Sequence, residues 1–224
     1  GGTTAINGGT ITTTGAQTYN DAVTLGVATT LNTSNSNIVF ASTLNSSGSS
    51  RALTIGAGTG SVTFTGAVGG SLALGATNIT AGTTTNSTTL VGSDAYAITG
   101  NAVVNGAISG VSNLSVSGTT TIAANITTSG TQLYSGAVTL NTNTTLTTTD
   151  SNVTFASTVN SNTTPAKTLT IAAGSGTVAM NGAVGGSSVL GATTITAGTF
   201  TSGSSGSIVM GANALILNVD AINI

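Results

Sequence analysis

Histidine, cysteine, tryptophan and glutamate are all absent from this 224-residue chain, and proline occurs once, at Pro165. Only six side chains carry a formal charge, Arg51, Lys167, Asp21, Asp94, Asp150 and Asp220, for a net charge of -2. That is 3% of the chain, where an ordinary soluble domain carries about 25%. The usual donors of acid–base chemistry, thiol nucleophiles and metal sites are thus missing or reduced to four scattered aspartates, so no cofactor, no metal and no enzymatic activity are expected. Two cations leave no electrostatic footprint for nucleic acid or an anionic membrane surface. The most apolar stretch, Ala214 to Leu217, is interrupted by Asn218 and Asp220, far short of the 18 or more residues of a spanning helix. A disordered chain pairs low hydrophobicity with high net charge, and this one has neither. The absence of cysteine suits an exported bacterial protein and a cytosolic one equally. With Gly1 and Gly2 at its start and no basic or apolar leader, the chain reads as a processed form or an excised segment.

What is present is threonine, 49 residues, and glycine, 32 residues, in a repeating order. Residues 15–47, GAQTYNDAVTLGVATTLNTSNSNIVFASTLNSS, lie over 130–162, GTQLYSGAVTLNTNTTLTTTDSNVTFASTVNSN, at a constant offset of 115. After one inserted residue the match resumes at an offset of 116. There LTIGAGTGSVTFTGAVGG lies over LTIAAGSGTVAMNGAVGG, and LGATNITAGT over LGATTITAGT. Fidelity over such a length implies a duplicated structural module.

Inside each module, segments such as AVTL, TTLNT, IVFAST and SVTFTG alternate a large apolar residue with Thr, Ala or Ser. Alternation with β-branched enrichment predicts short strands of four to six residues. Turn signals such as Asn7-Gly8, Asn105-Gly106 and Gly185-Gly186 separate them. Stacked coils are the architecture that grows by copying. The expected fold is therefore all-β, a parallel β-helix (β-solenoid) of about 10–12 coils running continuously over 1–224 as two modules, about 15–129 and 130–224. A 115-residue module would hold five coils of about 23 residues or six of about 19, an integer being required for both copies to present the same faces. The expected core stack is Leu25, Phe40, Ile55 and Phe64 with their equivalents Leu140, Phe155, Ile171 and Met180. The three tyrosines, Tyr19, Tyr96 and Tyr134, are isolated; the two that are module equivalents, Tyr19 and Tyr134, are expected at a coil edge. Like residues stack at about 4.8 Å in such a fold. A charge repeated from coil to coil would face its own kind, whereas Thr and Asn stack without repulsion.

The run GGTTAINGGTITTTGAQTYNDAVTL at 1–25, with VTFTGAVGG at 62–70, resembles the filamentous-haemagglutinin-like repeats of very large bacterial exoproteins. The resemblance covers roughly 1–83 and 130–199. It implies a right-handed parallel β-helix that is secreted or held at the bacterial cell surface and serves as an adhesin stalk or fibre.

The remaining motifs have plainer readings. Gly56-Ala57-Gly58-Thr59-Gly60 looks like a phosphate cradle, but it lacks the Lys-Ser/Thr of a P-loop and opens no helix; it is read as a turn. Asp21 aligns with Gly136 and Asp150 with Asn35, so neither acid recurs with the module and Ca²⁺ binding is not expected. Arg51 and Lys167 occupy equivalent positions before ALTI and TLTI and are read as solvated turn charges. Neither terminus shows the Pro, Lys or capping helix that blunts an open sheet edge. Head-to-tail self-association through Gly1, Gly2, Leu217, Val219, Ile222 and Ile224 is therefore expected, to an identical copy or to further repeats of a parent chain. The alternative reading is a surface whose outward Thr ladders bind a carbohydrate or ice.

Overall fold

A fold that grows by copying must bring like residues into line in successive coils. The computed structural model of the chain does so through the residues it describes, 2–92, 94–162, 165–203 and 207–224. Among these residues there is no helix, and the named strands pair in parallel as a β-solenoid of about ten turns. Two compact units form, Gly1–Ser112 and Asn113–Ile224.

In the first unit three parallel sheets carry the coils. One contains Thr3–Ile6, Ala22–Leu25 and Leu44–Ser46. A second runs through Thr10–Thr13, Thr29–Thr33, Leu53–Gly56 and the first halves of the long strands Thr77–Asn86 and Tyr96–Val104. The third runs through Gln17–Tyr19, Ile38–Phe40, Ser61–Phe64 and the second halves of the same long strands. The second unit repeats the arrangement. Its aliphatic rung Leu146, Ile171, Ile195, Leu217 is the counterpart of Leu31, Ile55, Ile79, Ile98 in the first.

Alternation along each strand puts every second side chain inside. The eight residues of the expected core stack, Leu25, Phe40, Ile55, Phe64, Leu140, Phe155, Ile171 and Met180, are each at most 1% exposed. Parallel register turns the aromatics among them into ladders. Tyr19 stacks on Phe40 at 4.9 Å and Phe40 on Phe64 at 5.3 Å, while Tyr134 stacks on Phe155 at 5.2 Å. Such a pair adds about 0.5–1.5 kcal/mol to the burial of its area.

Two expectations are corrected. The coils are not of constant length: bonds between facing positions of adjacent coils span 18 residues at Asn113 and Thr131 but 25 at Asn143 and Thr168. The extra residues are taken up in the turns, so the inward rows stay in register. Nor are all strands short, since Thr77–Asn86 and Thr193–Ser202 are ten residues long and serve two sheets each.

Asparagine has a role that turn propensity does not convey. The side-chain Oδ1 atoms of Asn37, Asn45, Asn113, Asn125, Asn143, Asn152 and Asn160 accept the backbone N–H groups of Ser61, Ser71, Thr131, Thr145, Thr168, Thr177 and Ser187 at 2.8–3.0 Å. Each acceptor belongs to the earlier coil and each donor to the next. These amides lie at the exposed coil edges and close the ladder where the backbone turns away from it.

Candidate functional site

The four acids lie at separate places in the chain, Asp150 in a turn of the second unit and Asp94 in the first. Asp150 sits in a turn with φ 49°, and its Oδ1 accepts the Ser175 N–H at 2.9 Å, as Asn35 (φ 57°) accepts that of Thr59 at 3.0 Å. Asp21 is half-buried, and Asp94 and Asp220 are exposed. Among the described residues no group of three or more His, Cys, Asp or Glu is placed to hold a metal ion. A narrow apolar recess in the first unit, lined by Val68, Leu74, Leu90, Tyr96 and Val111 with Asp94, has no room for a water molecule.

The glycine-rich segment spends three of its donors within the solenoid. The Ala57 N–H donates to the Thr80 carbonyl at 2.8 Å, the Thr59 N–H to Asn35 Oδ1, and the Gly60 N–H to the Ala57 carbonyl at 2.9 Å. Arg51 and Lys167 are equivalent in structure as in sequence: their backbone N–H groups donate to Ser46 Oγ and Ser161 Oγ at 2.9 and 3.0 Å.

The module-equivalent tyrosines depart from the expected coil edge. Tyr96 and Tyr134 lie inside and are at most 1% exposed, and Tyr19 is half-buried on Phe40. An interior phenol needs an acceptor. The Tyr134 hydroxyl donates to Gln132 Oε1 at 2.9 Å and the Tyr19 hydroxyl to Gln17 Oε1 at 2.8 Å. Each glutamine spends its amide on the next coil, Gln132 Nε2 on the Thr147 carbonyl at 3.0 Å and Gln17 Nε2 on the Asn32 carbonyl at 2.8 Å. The signal was present in both modules as Gln-x-Tyr. The third hydroxyl, of Tyr96, donates to Asn86 Oδ1 at 2.9 Å, while Asn86 Nδ2 and Thr84 Oγ1 lie buried with no partner.

Burial pushes the Tyr96 and Tyr134 phenols well above their ordinary value of 10.0. Above that pH the unfolded chain releases protons that the folded chain retains. Stability is therefore full below about pH 10 and falls as the pH rises beyond it, by about 1.4 kcal/mol per pH unit for each phenol. Urea unfolding at a series of pH values from 8 to 12 measures this slope. A flat profile would place both rings in contact with water.

Among the described residues, Leu215–Asn223 pairs with one strand, Thr193–Ser202. Its inward row Leu215, Leu217, Val219 is half-buried, and Ile222 and Ile224 are 53% and 97% exposed. In the first unit Thr3–Ile6, Thr10–Thr13 and Gln17–Tyr19 each pair with one strand among the described residues. Gly2 is exposed there; Gly1 lies outside the described residues. These edges present rows of backbone donors and acceptors beside apolar side chains, the composition of a strand-pairing surface. Asp220 and Asp21 are the formal charges near them. No family model matches the chain, and neither does any curated protein or solved structure.

Proposed function

We propose that the chain is a structural, non-enzymatic building block of a secreted or surface-bound bacterial fibre or stalk, and that its coils continue end to end into another copy. The observation that supports this reading is the parallel stacking of like residues from coil to coil, repeated in both units. Another copy or further repeats would add coils by the same chemistry, since backbone pairing and apolar rungs are what join neighbouring coils within each unit. A net charge of -2 sets little repulsion against such contacts. The resemblance to filamentous-haemagglutinin-like repeats supports the same localisation and role.

Electron microscopy of the purified chain tests the proposal. Filaments of uniform width are expected, and their length should change little between 50 mM and 500 mM salt, because hydrogen bonds and apolar contacts are screened far less than ion pairs. Monomers at high concentration under all conditions would refute it.

A second reading is favoured by one observation, the register of outward threonines. Thr10, Thr30 and Thr54 face one another across three coils of the first unit, and Thr145, Thr170 and Thr194 across three of the second. Such ladders would serve an adhesin that binds a surface glycan, or a face that binds ice. Retention on a glycan array, or thermal hysteresis, by a form that does not polymerise would favour it over the fibre.

A further inference from the structure

The outward threonines are unevenly spaced in the sequence, and the structure lines them up all the same. On the second sheet of the first unit one outward row runs Thr10, Thr30, Thr54, Asn78, Ala97, each residue facing the next in register. Two residues along each strand a parallel row runs Thr12, Asn32, Gly56, Thr80, Thr99. Coil lengths differ, but the extra residues are taken up in turns, so neither row slips. The two rows make a grid with positions about 4.8 Å apart from coil to coil and about 6.6 Å apart along a strand. Its strands carry no formal charge, and their one aromatic residue, Tyr96, is buried inside. The second unit repeats the first row as Thr145, Thr170, Thr194.

Threonine is used in two ways in the first unit. At turns and strand ends its hydroxyl is spent on the chain: Thr13, Thr29, Thr33 and Thr77 donate to the carbonyls of Gly15, Val27, Ser36 and Gly75 at 2.6–3.1 Å. On the grid, the hydroxyls of Thr10, Thr12, Thr54, Thr80 and Thr99 make no such bond among the described residues, and all five residues are exposed. Threonine is stiff at χ1, and the ladder beneath fixes each Cα. The hydroxyls and methyls are therefore held in place before anything binds, and little ordering entropy remains to be lost.

Resting on the second reading above, we propose that this grid is the binding face and that its ligand is ice rather than a sugar. A sugar site is ordinarily concave, with aromatic or charged groups that fix the orientation of the ring, and this face supplies no ring and no charge. A lattice of water needs neither. It needs hydroxyls at intervals close to those of its own oxygens, and the prism face of ordinary ice repeats its oxygens at two intervals close to those of the grid. The methyls between them carry ordered hydration water that joins the lattice. Repetition then multiplies a weak contact, since each further row engages within a contact already made.

Growth of ice from a dilute solution of the purified chain is the test, read as the share of protein taken into the ice and as thermal hysteresis. The wild type is expected to enter the ice and to hold the freezing point below the melting point. The variant carrying Thr54→Lys and Thr170→Lys, one charge on each grid, is expected to lose both properties while its circular dichroism melt stays at the wild-type temperature, because both positions face outward. Thr30→Lys with Thr145→Lys, one coil earlier on each grid, repeats the test on a second pair of positions. Thr63→Lys with Thr154→Lys, outward on the third sheet, is expected to leave both properties unchanged. Uptake that survives both grid variants, or that the third-sheet variant abolishes equally, overturns the face. Exclusion of the wild type from ice overturns ice as the ligand. A glycan array then separates the two levels: retention abolished by Thr54→Lys with Thr170→Lys keeps the grid as a sugar-binding face, and no retention removes the second reading as well.

Discussion

Replacing Phe155 by Asp is expected to abolish the cooperative thermal transition of the second unit. Phe155 is 1% exposed, stacks on Tyr134 and faces Met180 in the next coil. Truncating a buried aromatic costs about 3–5 kcal/mol, and a carboxylate left in the same space without a partner adds several more. Against a total stability of about 5–15 kcal/mol for a domain, that sum removes most or all of the native state. The adjacent Thr154→Asp places the same charge on an outward, half-buried position and should change stability by less than about 1 kcal/mol. Circular dichroism melts of the two variants make the comparison, and a lower melting temperature for Thr154→Asp than for Phe155→Asp would mean that the inward and outward assignments are exchanged.

Gly174→Val is expected to cost about 3 kcal/mol or more, for two reasons that add. Gly174 has φ 58°, a left-handed conformation that costs an ordinary residue about 1–2 kcal/mol and a β-branched one more. Its new Cβ would also meet the Asp150 carboxylate. That contact displaces the oxygen that accepts the Ser175 N–H at 2.9 Å, and a charge-assisted bond of this kind contributes about 1.5–3 kcal/mol. Restoring room with Asp150→Ala in the Gly174→Val background should recover little, because the backbone strain and the lost acceptor remain. Near-wild-type urea unfolding of Gly174→Val would show that the turn relaxes around the side chain.

The inward rows were legible in the sequence because alternation and duplication report the same thing twice. Leu25, Phe40, Ile55 and Phe64 each recur in the second module as a residue of similar size, which only a shared interior position demands. Tyr19 and Tyr134 were misplaced because a phenol is usually drawn to water. The acceptor that lets Tyr134 stay inside, Gln132, is two residues away and reads as an ordinary polar residue until the strand pleat turns both inward. Tyr96 had no such local cue, since its acceptor, Asn86, is ten residues away. Coil length was hidden for a different reason. Residues added in a turn leave no trace in the apolar pattern, so the difference between 18 and 25 residues per coil appears only in the register. The asparagines were visible as turn formers, but their acceptor role depends on a backbone N–H one coil later.

Because the hydrogen bonds of every parallel ladder run from coil to coil, tension along the stacking direction of a unit loads them end-on rather than in shear. Bonds pulled this way yield in sequence, so a coil peels from the edge at modest force while those behind it stay folded. Each coil that opens frees 18 to 25 residues, which extend by about 3.3–3.6 Å apiece, roughly 60–90 Å of slack. A chain built in this way yields to a pull in discrete steps of unequal length and rewinds against the same template when the load is removed, which is the behaviour of a shock absorber.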